Sequence, residues 1–339
     1  MSKADLQSVA LAMVAQGKGI LAADESFPTI KKRFDSIDLE STEENRRAYR
    51  ELLFTTPGIE AYVSGVIMFD ETLRQHKQDG TPFPEVLSNL GVVPGIKVDN
   101  GAKNLAGFPG EKVTEGLDGL RERLADYFDL GARFTKWRAV ITIGDGLPTP
   151  FCIAANAHAL ARYAALSQEV GLVPIVEPEV LMDGGHTIER CEEVTEATLK
   201  HVFMQLHEHR VALECMVLKP NMVVSGKACP QQAGVEEVAA ATVRTLRHSV
   251  PASVPGIVFL SGGQSPTLAT EHLNAMNTLG THPWELSFSY GRALQEEALK
   301  AWGGKPANVA AAQQAYHHRA MCVGAARYGK YTAEMEHAA

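Results

Sequence analysis

What the chain lacks narrows its class before any motif is considered. No apolar run among the 339 residues reaches the roughly 18 positions that a membrane-spanning helix needs. The five cysteines, Cys152, Cys191, Cys215, Cys229 and Cys322, are scattered and form no Cys-x-x-Cys pair. That spacing fits reduced thiols in a cytoplasm rather than a disulfide framework. Basic residues are not in excess: the net charge is −8, which argues against a nucleic-acid or membrane-surface partner. Neither a GxxxxGK[ST] nor an HExxH motif occurs, which excludes a phosphate loop of that type and a zinc protease of that type. Linkers, low-complexity segments and close repeats are missing too, so one domain is expected. The start, Met1-Ser2-Lys3-Ala4-Asp5, is polar and runs straight into a helical pattern, so no secretory leader is expected.

What is present is alternation. Eight apolar, often β-branched runs read as strands: 19–24, 63–69, 95–99, 133–141, 173–180, 213–220, 256–263 and 285–292. Helical patterns lie between them, among them 116–130, 150–170, 188–209, 231–247 and 266–279. The spacing is about 40 residues per strand–helix unit, and apolar residues at 45% supply a large core. Near-continuous apolar strands separated by helices call for a parallel sheet covered by helices. Eight such units favour an α/β fold of one closed (β/α)8 barrel, a TIM barrel, over an open sheet.

A barrel of this kind gathers the C-terminal ends of its strands at one rim. Those ends are unusually charged. The first carries Asp24, the third Lys97 and Asp99, the fourth Lys136 and Arg138, the fifth Glu177 and Glu179, the sixth Lys219 and the eighth Arg292. Alternation along a strand puts Lys136 with Arg138 on one face, and Glu177 with Glu179 on one face. Lys219 closes the apolar stretch Leu213-Glu214-Cys215-Met216-Val217-Leu218 and precedes Pro220. A lysine there either snorkels to solvent or, if buried, is pushed toward the neutral amine that a nucleophile requires. Other features read plainly. His207 and His209 point to different faces of a polar helix and make no metal site; His317 and His318 read as surface residues; Trp137 and Trp302 read as packing residues, and Cys215 as a small core residue.

The ordered motifs identify a family. The chain resembles class I, Schiff-base-forming fructose-1,6-bisphosphate aldolases from Gly17 to Thr332. The resemblance is carried by Leu21-Ala22-Ala23-Asp24-Glu25-Ser26, Gly95-Ile96-Lys97-Val98-Asp99, Lys136-Trp137-Arg138, Val176-Glu177-Pro178-Glu179, Leu218-Lys219-Pro220-Asn221-Met222, Leu260-Ser261-Gly262-Gly263-Gln264-Ser265 and Ser289-Tyr290-Gly291-Arg292-Ala293-Leu294-Gln295. It implies a barrel domain over residues 1–332 and a short tail over 333–339. It implies reversible cleavage of fructose 1,6-bisphosphate to dihydroxyacetone phosphate and glyceraldehyde 3-phosphate, with no metal or organic cofactor, in a cytoplasmic homotetramer. Lys219 is implied as the imine-forming amine and Glu177 as the main proton carrier. Glu179 is expected to favour the protonated form of Glu177 as a neighbouring carboxylate. Lys136 is implied to keep Lys219 less basic and to orient intermediates, and Asp24 to hold the substrate hydroxyls. One phosphate is expected on Ser261, Gly262, Gly263, Ser289, Gly291 and Arg292. The other is expected on Ser26, Arg33 and Lys97, with Thr29 and Arg138 nearby.

Three departures from the family pattern stand out. Cys215 replaces a usual glycine, and Phe27-Pro28 follows Ser26 where small residues are usual, which bears on the second phosphate site. The tail ends at Ala339 without the terminal tyrosine of the animal and plant enzymes, so another acid, Glu177 or water, is expected to protonate the enamine. Fructose 1-phosphate or a longer ketose bisphosphate would use the same lysine. A binding-only scaffold is the reading from another class, and it has no need of the intact charged set.

Overall fold

The computed structural model describes residues 2–337, so Ala338 and Ala339 of the expected tail lie outside the described residues. In chain order the elements are α1 (Lys3–Met13), β1 (Gly19–Ala23), α2 (Phe27–Asp35), α3 (Glu43–Phe54), β2 (Val63–Met68), α4 (Asp70–Arg74), α5 (Phe83–Asn89) and β3 (Val93–Lys97). A small hairpin follows, β4 (Ala102–Asn104) and β5 (Lys112–Thr114), then α6 (Leu120–Asp129), β6 (Phe134–Ile141), α7 (Pro150–Val170), β7 (Val173–Val180) and α8 (Ile188–Glu208). The last part holds β8 (Val217–Leu218), α9 (Val235–Ser249), β9 (Gly256–Phe259), α10 (Pro266–Thr278), β10 (Glu285–Tyr290), α11 (Arg292–Trp302) and α12 (Val309–Ala326).

Eight of the strands close into one parallel barrel in the order β1-β10-β9-β8-β7-β6-β3-β2. The expected architecture is therefore the observed one. The two buried clusters separate the inward from the outward residues. Ile20, Ala22, Phe134, Ile175, Cys215, Val217 and Val258 belong to one cluster, which α1 joins through Leu6, Ala10 and Met13 and so closes the bottom of the barrel. Their neighbours of opposite parity, such as Leu21, Trp137, Val176, Leu218 and Ile257, pack in the larger cluster with the helices. The same inward parity carried upward along the strands reaches Asp24, Lys136, Glu177 and Lys219. Each of these four strands is thus apolar at its base and ionic at its top.

Two aromatic rings pack against strand glycines, Phe134 inside the lower barrel and Phe288 on its outer side toward the helices. A Cβ on Gly95 would lie 2.2 Å from the Phe134 ring, and one on Gly19 would lie 2.5 Å from Phe288. No larger residue fits unless the ring moves.

Several boundaries differ from the sequence reading, each for a local reason. The run 213–220 is a strand only at Val217–Leu218. Leu213–Cys215 forms a 3-10 turn, which brings Cys215 Sγ to the Lys3 carbonyl at 3.5 Å and Glu214 to the Lys3 ammonium at 2.5 Å. The apolar residues there are buried against α1, not paired in the sheet. The ladder continues for one further bond, Lys219 N–H to Val176 O at 2.8 Å, and stops at Pro220, which has no amide hydrogen. The run 256–263 ends as a strand at Phe259, and Asp24, Asp99 and Arg292 fall just beyond their strands. Helix α6 begins at Leu120 rather than 116, because Gly116 and Gly119 hold φ of +126° and +63°. Helix α9 starts at Val235, behind Gly234 as its cap. His317 and His318 are half-buried on α12 rather than on the surface, and His318 Nε2 lies 2.8 Å from the Met335 carbonyl. Trp137, Trp302 and Cys215 are buried, as expected.

Candidate active site

The rim formed by the strand tops holds four ionic side chains in an unbroken row. Lys219, just past β8, is 3% exposed, and its Nζ lies 3.3 Å from Glu177 Oε1. The other oxygen of Glu177 lies 3.3 Å from Lys136 Nζ on β6. Lys136 Nζ in turn lies 2.6 Å from Asp24 Oδ2, beyond β1. Positive and negative groups alternate, so each buried charge has an opposite neighbour; a charge left unpaired there would cost several kcal/mol. Burial works against both ends of the last pair and is outweighed. Lys136 is held above the usual lysine range by Asp24, Glu177 and Asp99, and Asp24 is held down at about 2 by Lys136, Lys219 and Lys97.

Glu179 sits one inward position above Glu177 on β7, and its carboxylate is taken by the Arg138 guanidinium. The close carboxylate pair expected from the sequence is therefore replaced. Glu177 faces two ammonium groups, and Glu179 is neutralised by Arg138. Both cations reach diagonally past their ladder partners: Lys136 stands beside Ile175 and meets Glu177, and Arg138 stands beside Glu177 and meets Glu179. Period two gave the face but not the cross-strand partner.

These groups line a cleft of about 700 Å³. Asp24, Lys97, Lys136, Arg138, Glu177 and Lys219 open onto it, as do Ser26, Thr29, Arg33, Gly291 and Arg292. Glu179, Ser261, Gly262, Gly263 and Ser289 do not line it. On one side Ser26 begins α2, its hydroxyl 3.2 Å from Thr29 Oγ1, and the buried Arg33 Nε has no partner among the described residues. Pro28 suits the first turn of that helix, and Phe27 packs edge-on to Phe69 with ring centroids 5.2 Å apart, so neither residue turns Ser26 or Arg33 away from the cleft. Lys97 Nζ is held by Asp99 Oδ1 at 2.7 Å and by the Asp99 carbonyl at 2.6 Å.

On the opposite side the strand β9 gives way to a tight turn over 261–263. Gly262 and Gly263 adopt φ of +58° and +86°, a left-handed pair that side chains resist. The turn is closed by Gln264, whose backbone N–H and side-chain Nε2 each donate to the Ser261 carbonyl at 2.9 Å. Gln264 Oε1 lies 2.5 Å from Nδ1 of the buried His272, whose burial pushes its pKa down to about 4, so the ring is neutral at pH 7. Next to this turn Ser289 Oγ is buried with no hydrogen-bond partner among the described residues, and Arg292 heads α11. Two consecutive left-handed glycines, an unpaired hydroxyl and the Arg292 guanidinium, whose Nε lies 4.0 Å from Glu296 Oε2, therefore meet at this corner, the donor types that an anion uses.

Sequence reasoning missed several residues here. Glu25 joins Arg50 at 2.7 Å and Gln295 at 3.1 Å, and Gln295 also donates to the Ala22 carbonyl at 2.7 Å, which ties the top of β1 to α11. Glu25 and Gln295 stood inside the quoted motifs, but with no sign of their partners. Gln264 and His272 were missed because the link spans eight residues between a turn and a helix. Among the described residues, no group of three or more His, Cys, Asp or Glu side chains is arranged to hold a metal ion. Tyr328 and Tyr331 do not line the cleft; Tyr331 donates to Glu336 at 2.5 Å.

Comparison with known proteins points the same way. The sequence model of the family described as fructose-bisphosphate aldolase class-I matches residues 5–339. The probable fructose-bisphosphate aldolase class 1 of Xanthomonas campestris pv. campestris is 60% identical over 332 residues, covering 98% of this chain and 99% of its own. The cytoplasmic isozyme of fructose-bisphosphate aldolase from Spinacia oleracea is 56% identical over 316 residues, covering 93% and 88%. Among solved structures, the Plasmodium falciparum fructose-bisphosphate aldolase, in complex with TRAP and a small-molecule inhibitor, superposes with a TM-score of 0.96 at 51% identity, covering 97% of this chain and 95% of its own.

Proposed function

Because the chain belongs to the class I fructose-bisphosphate aldolase family, we propose that Lys219 forms the imine through which it acts. The reaction is the reversible cleavage of fructose 1,6-bisphosphate to dihydroxyacetone phosphate and glyceraldehyde 3-phosphate, a carbon–carbon lyase step of glycolysis. The observation that carries the residue assignment is the row Lys219–Glu177–Lys136–Asp24 at the floor of the cleft.

The neutral amine of Lys219 adds to the ketone carbon C2 of the open-chain sugar. Glu177, 3.3 Å from that nitrogen, holds the proton given up by the Lys219 ammonium; it passes the adduct's proton from nitrogen to oxygen and delivers one more to the departing hydroxyl, so water leaves, Glu177 is left as the carboxylate and a protonated imine remains. Loss of the C4 hydroxyl proton then breaks the C3–C4 bond. The electron pair moves into the imine, giving an enamine and releasing glyceraldehyde 3-phosphate. Glu177 serves as base for that proton, and Asp24, ionised at any ordinary pH, orients the hydroxyls. The enamine takes a proton at C3 from Glu177 or water, and hydrolysis of the imine frees dihydroxyacetone phosphate and Lys219. Lys136 opposes the charge of Lys219 from the far side of Glu177 and keeps the row neutral as protons move.

The phosphate on C1 binds at the 261–263 turn with Ser289, Gly291 and Arg292, and the phosphate on C6 at Ser26, Arg33 and Lys97. The protonated imine supplies the electron sink, so the reading includes a metal-independent reaction. It also includes a cytoplasmic homotetramer. Five unpaired, buried cysteines support a reducing compartment, and no helix among the described residues is long and apolar enough to cross a membrane. The test is borohydride reduction in the presence of dihydroxyacetone phosphate, followed by peptide mass spectrometry, alongside cleavage assayed in excess EDTA. An adduct on Lys219 and EDTA-resistant cleavage are expected. An adduct on another residue, or cleavage that persists in a Lys219→Met variant, would sink the assignment.

A further inference from the structure

A second cation stands beside Arg292 at the phosphate turn, on a loop that the family motifs do not include. We propose that Lys227 is a phosphate-binding residue of the 261–263 corner and takes the C1 phosphate of the ketone half together with Arg292. The proposal rests on the reading of that corner given above.

The geometry comes from three loops. The point where Gly263 would carry a Cβ lies 3.1 Å from Lys227 Nζ and 3.5 Å from an Arg292 terminal nitrogen. The two cations therefore flank the outer side of the same left-handed turn. Lys227 is not a wandering surface lysine, because its backbone is fixed. Gly226 N–H donates to the His186 carbonyl at 2.9 Å, Lys227 N–H to Met182 O at 2.8 Å, and Ala228 N–H to Gly184 O at 2.8 Å. These bonds splice the loop after β8 to the loop after β7. The approach is close enough that a Cβ on Gly226 would lie 2.4 Å from the Gly184 carbonyl oxygen. A lysine anchored in this way loses less freedom on binding than one on a free loop.

Its partner is Asp183, at 3.0 Å, with the two side chains 48% and 69% exposed. An exposed pair of this kind contributes little and is readily exchanged. A dianionic phosphate offers more charge than Asp183 and more acceptor oxygens. It draws the ammonium inward over Gly263 while Arg292 approaches from the other side. Ser289 Oγ, buried and without a partner, supplies a donor from the barrel side.

The experiment compares the unmodified chain with Lys227→Met, Lys227→Arg and Asp183→Asn. Two quantities are read: the dihydroxyacetone phosphate concentration for half-maximal borohydride trapping, and the affinity for inorganic phosphate by calorimetry. Lys227→Met should raise the half-saturating concentration and weaken phosphate binding about fivefold, the scale of one half-exposed cation, while the trapping yield at saturation stays within about twofold. Lys227→Arg should restore most of the affinity, and Asp183→Asn should tighten phosphate binding by about twofold. Unchanged affinities in Lys227→Met, or a lower saturating yield at unchanged affinity, would overturn the proposal. If the unmodified chain gives no adduct, the imine assignment fails, and the calorimetry still decides the role of Lys227.

Discussion

Asp24 allows a quantitative test of how the charged row is held in the fold. Its pKa falls from an ordinary 3.8 to about 2, against burial that would raise it, because Lys136, Lys219 and Lys97 favour the carboxylate. A shift of roughly 2 units corresponds to about 2 to 3 kcal/mol between the two protonation states. The side chain is 11% exposed, so solvent screening removes little of this, and about 2 kcal/mol is a fair expectation. The sign follows from the direction of the shift. A carboxylate whose folded pKa is depressed binds its proton more readily in the unfolded chain. Its stabilisation is therefore complete above about pH 4 and disappears as the pH falls through about 2. Asp24→Asn cannot ionise and lacks the contribution at every pH. Urea unfolding of both proteins, followed by near-ultraviolet circular dichroism, should show a gap of about 2 kcal/mol at pH 7 and pH 5, closing steadily between pH 4 and pH 2.5. A gap that is absent at pH 7, or one that stays constant down to pH 3, would refute the argument that Lys136, Lys219 and Lys97 stabilise an ionised Asp24.

Other predictions follow from single contacts. Lys219→Met should abolish the borohydride adduct and lower cleavage by at least about 10⁴-fold, and should also lower the melting temperature, since buried Glu177 loses one of its two ammonium neighbours. Glu177→Gln keeps the shape of the carboxylate but cannot accept a proton; kcat should fall about 10²- to 10⁴-fold with KM nearly unchanged, and a kcat that falls less than tenfold would remove Glu177 from the proton steps. Gly95→Ala drives a methyl into the Phe134 ring, 2.2 Å away, and should cost about 1–3 kcal/mol by urea midpoint, with Phe134→Leu in the same chain recovering part of the loss.

The parts of the fold that could be read from the sequence are those with local causes. The bounds of α7 follow from the Thr149-Pro150 start, where Thr149 Oγ1 accepts from Cys152 N–H at 3.2 Å, and from Gly171 at φ +96° at its end. Those of β7 follow from eight consecutive buried positions. The run 213–220 looked like a strand because apolarity reports burial and not the partner, and here the partner of its first half is α1. The hairpin β4–β5 has strands of three residues each, too short to show a period. At the site, alternation sufficed to put Asp24, Lys136, Glu177 and Lys219 on the inward face. It could not assign Glu179 to Arg138, which depends on a diagonal reach past the ladder partner Glu177. Lys227, Gln264 and His272 depend on loop paths, for which no periodic signal exists.

The layering of the barrel interior also has a consequence for altering this protein. The lower level, where Phe134 lies against Gly95, answers to volume; the upper level answers to charge. The two share strands but no side chains. A library confined to Ser26, Arg33, Lys97 and Arg138 would vary the side of the cleft proposed above for the C6 phosphate and leave the packed lower level intact. New acceptor aldehydes could then be sought without spending the stability that keeps the barrel shut, so the molecule's capacity to change its substrate and its capacity to survive mutation lie at different depths along one axis.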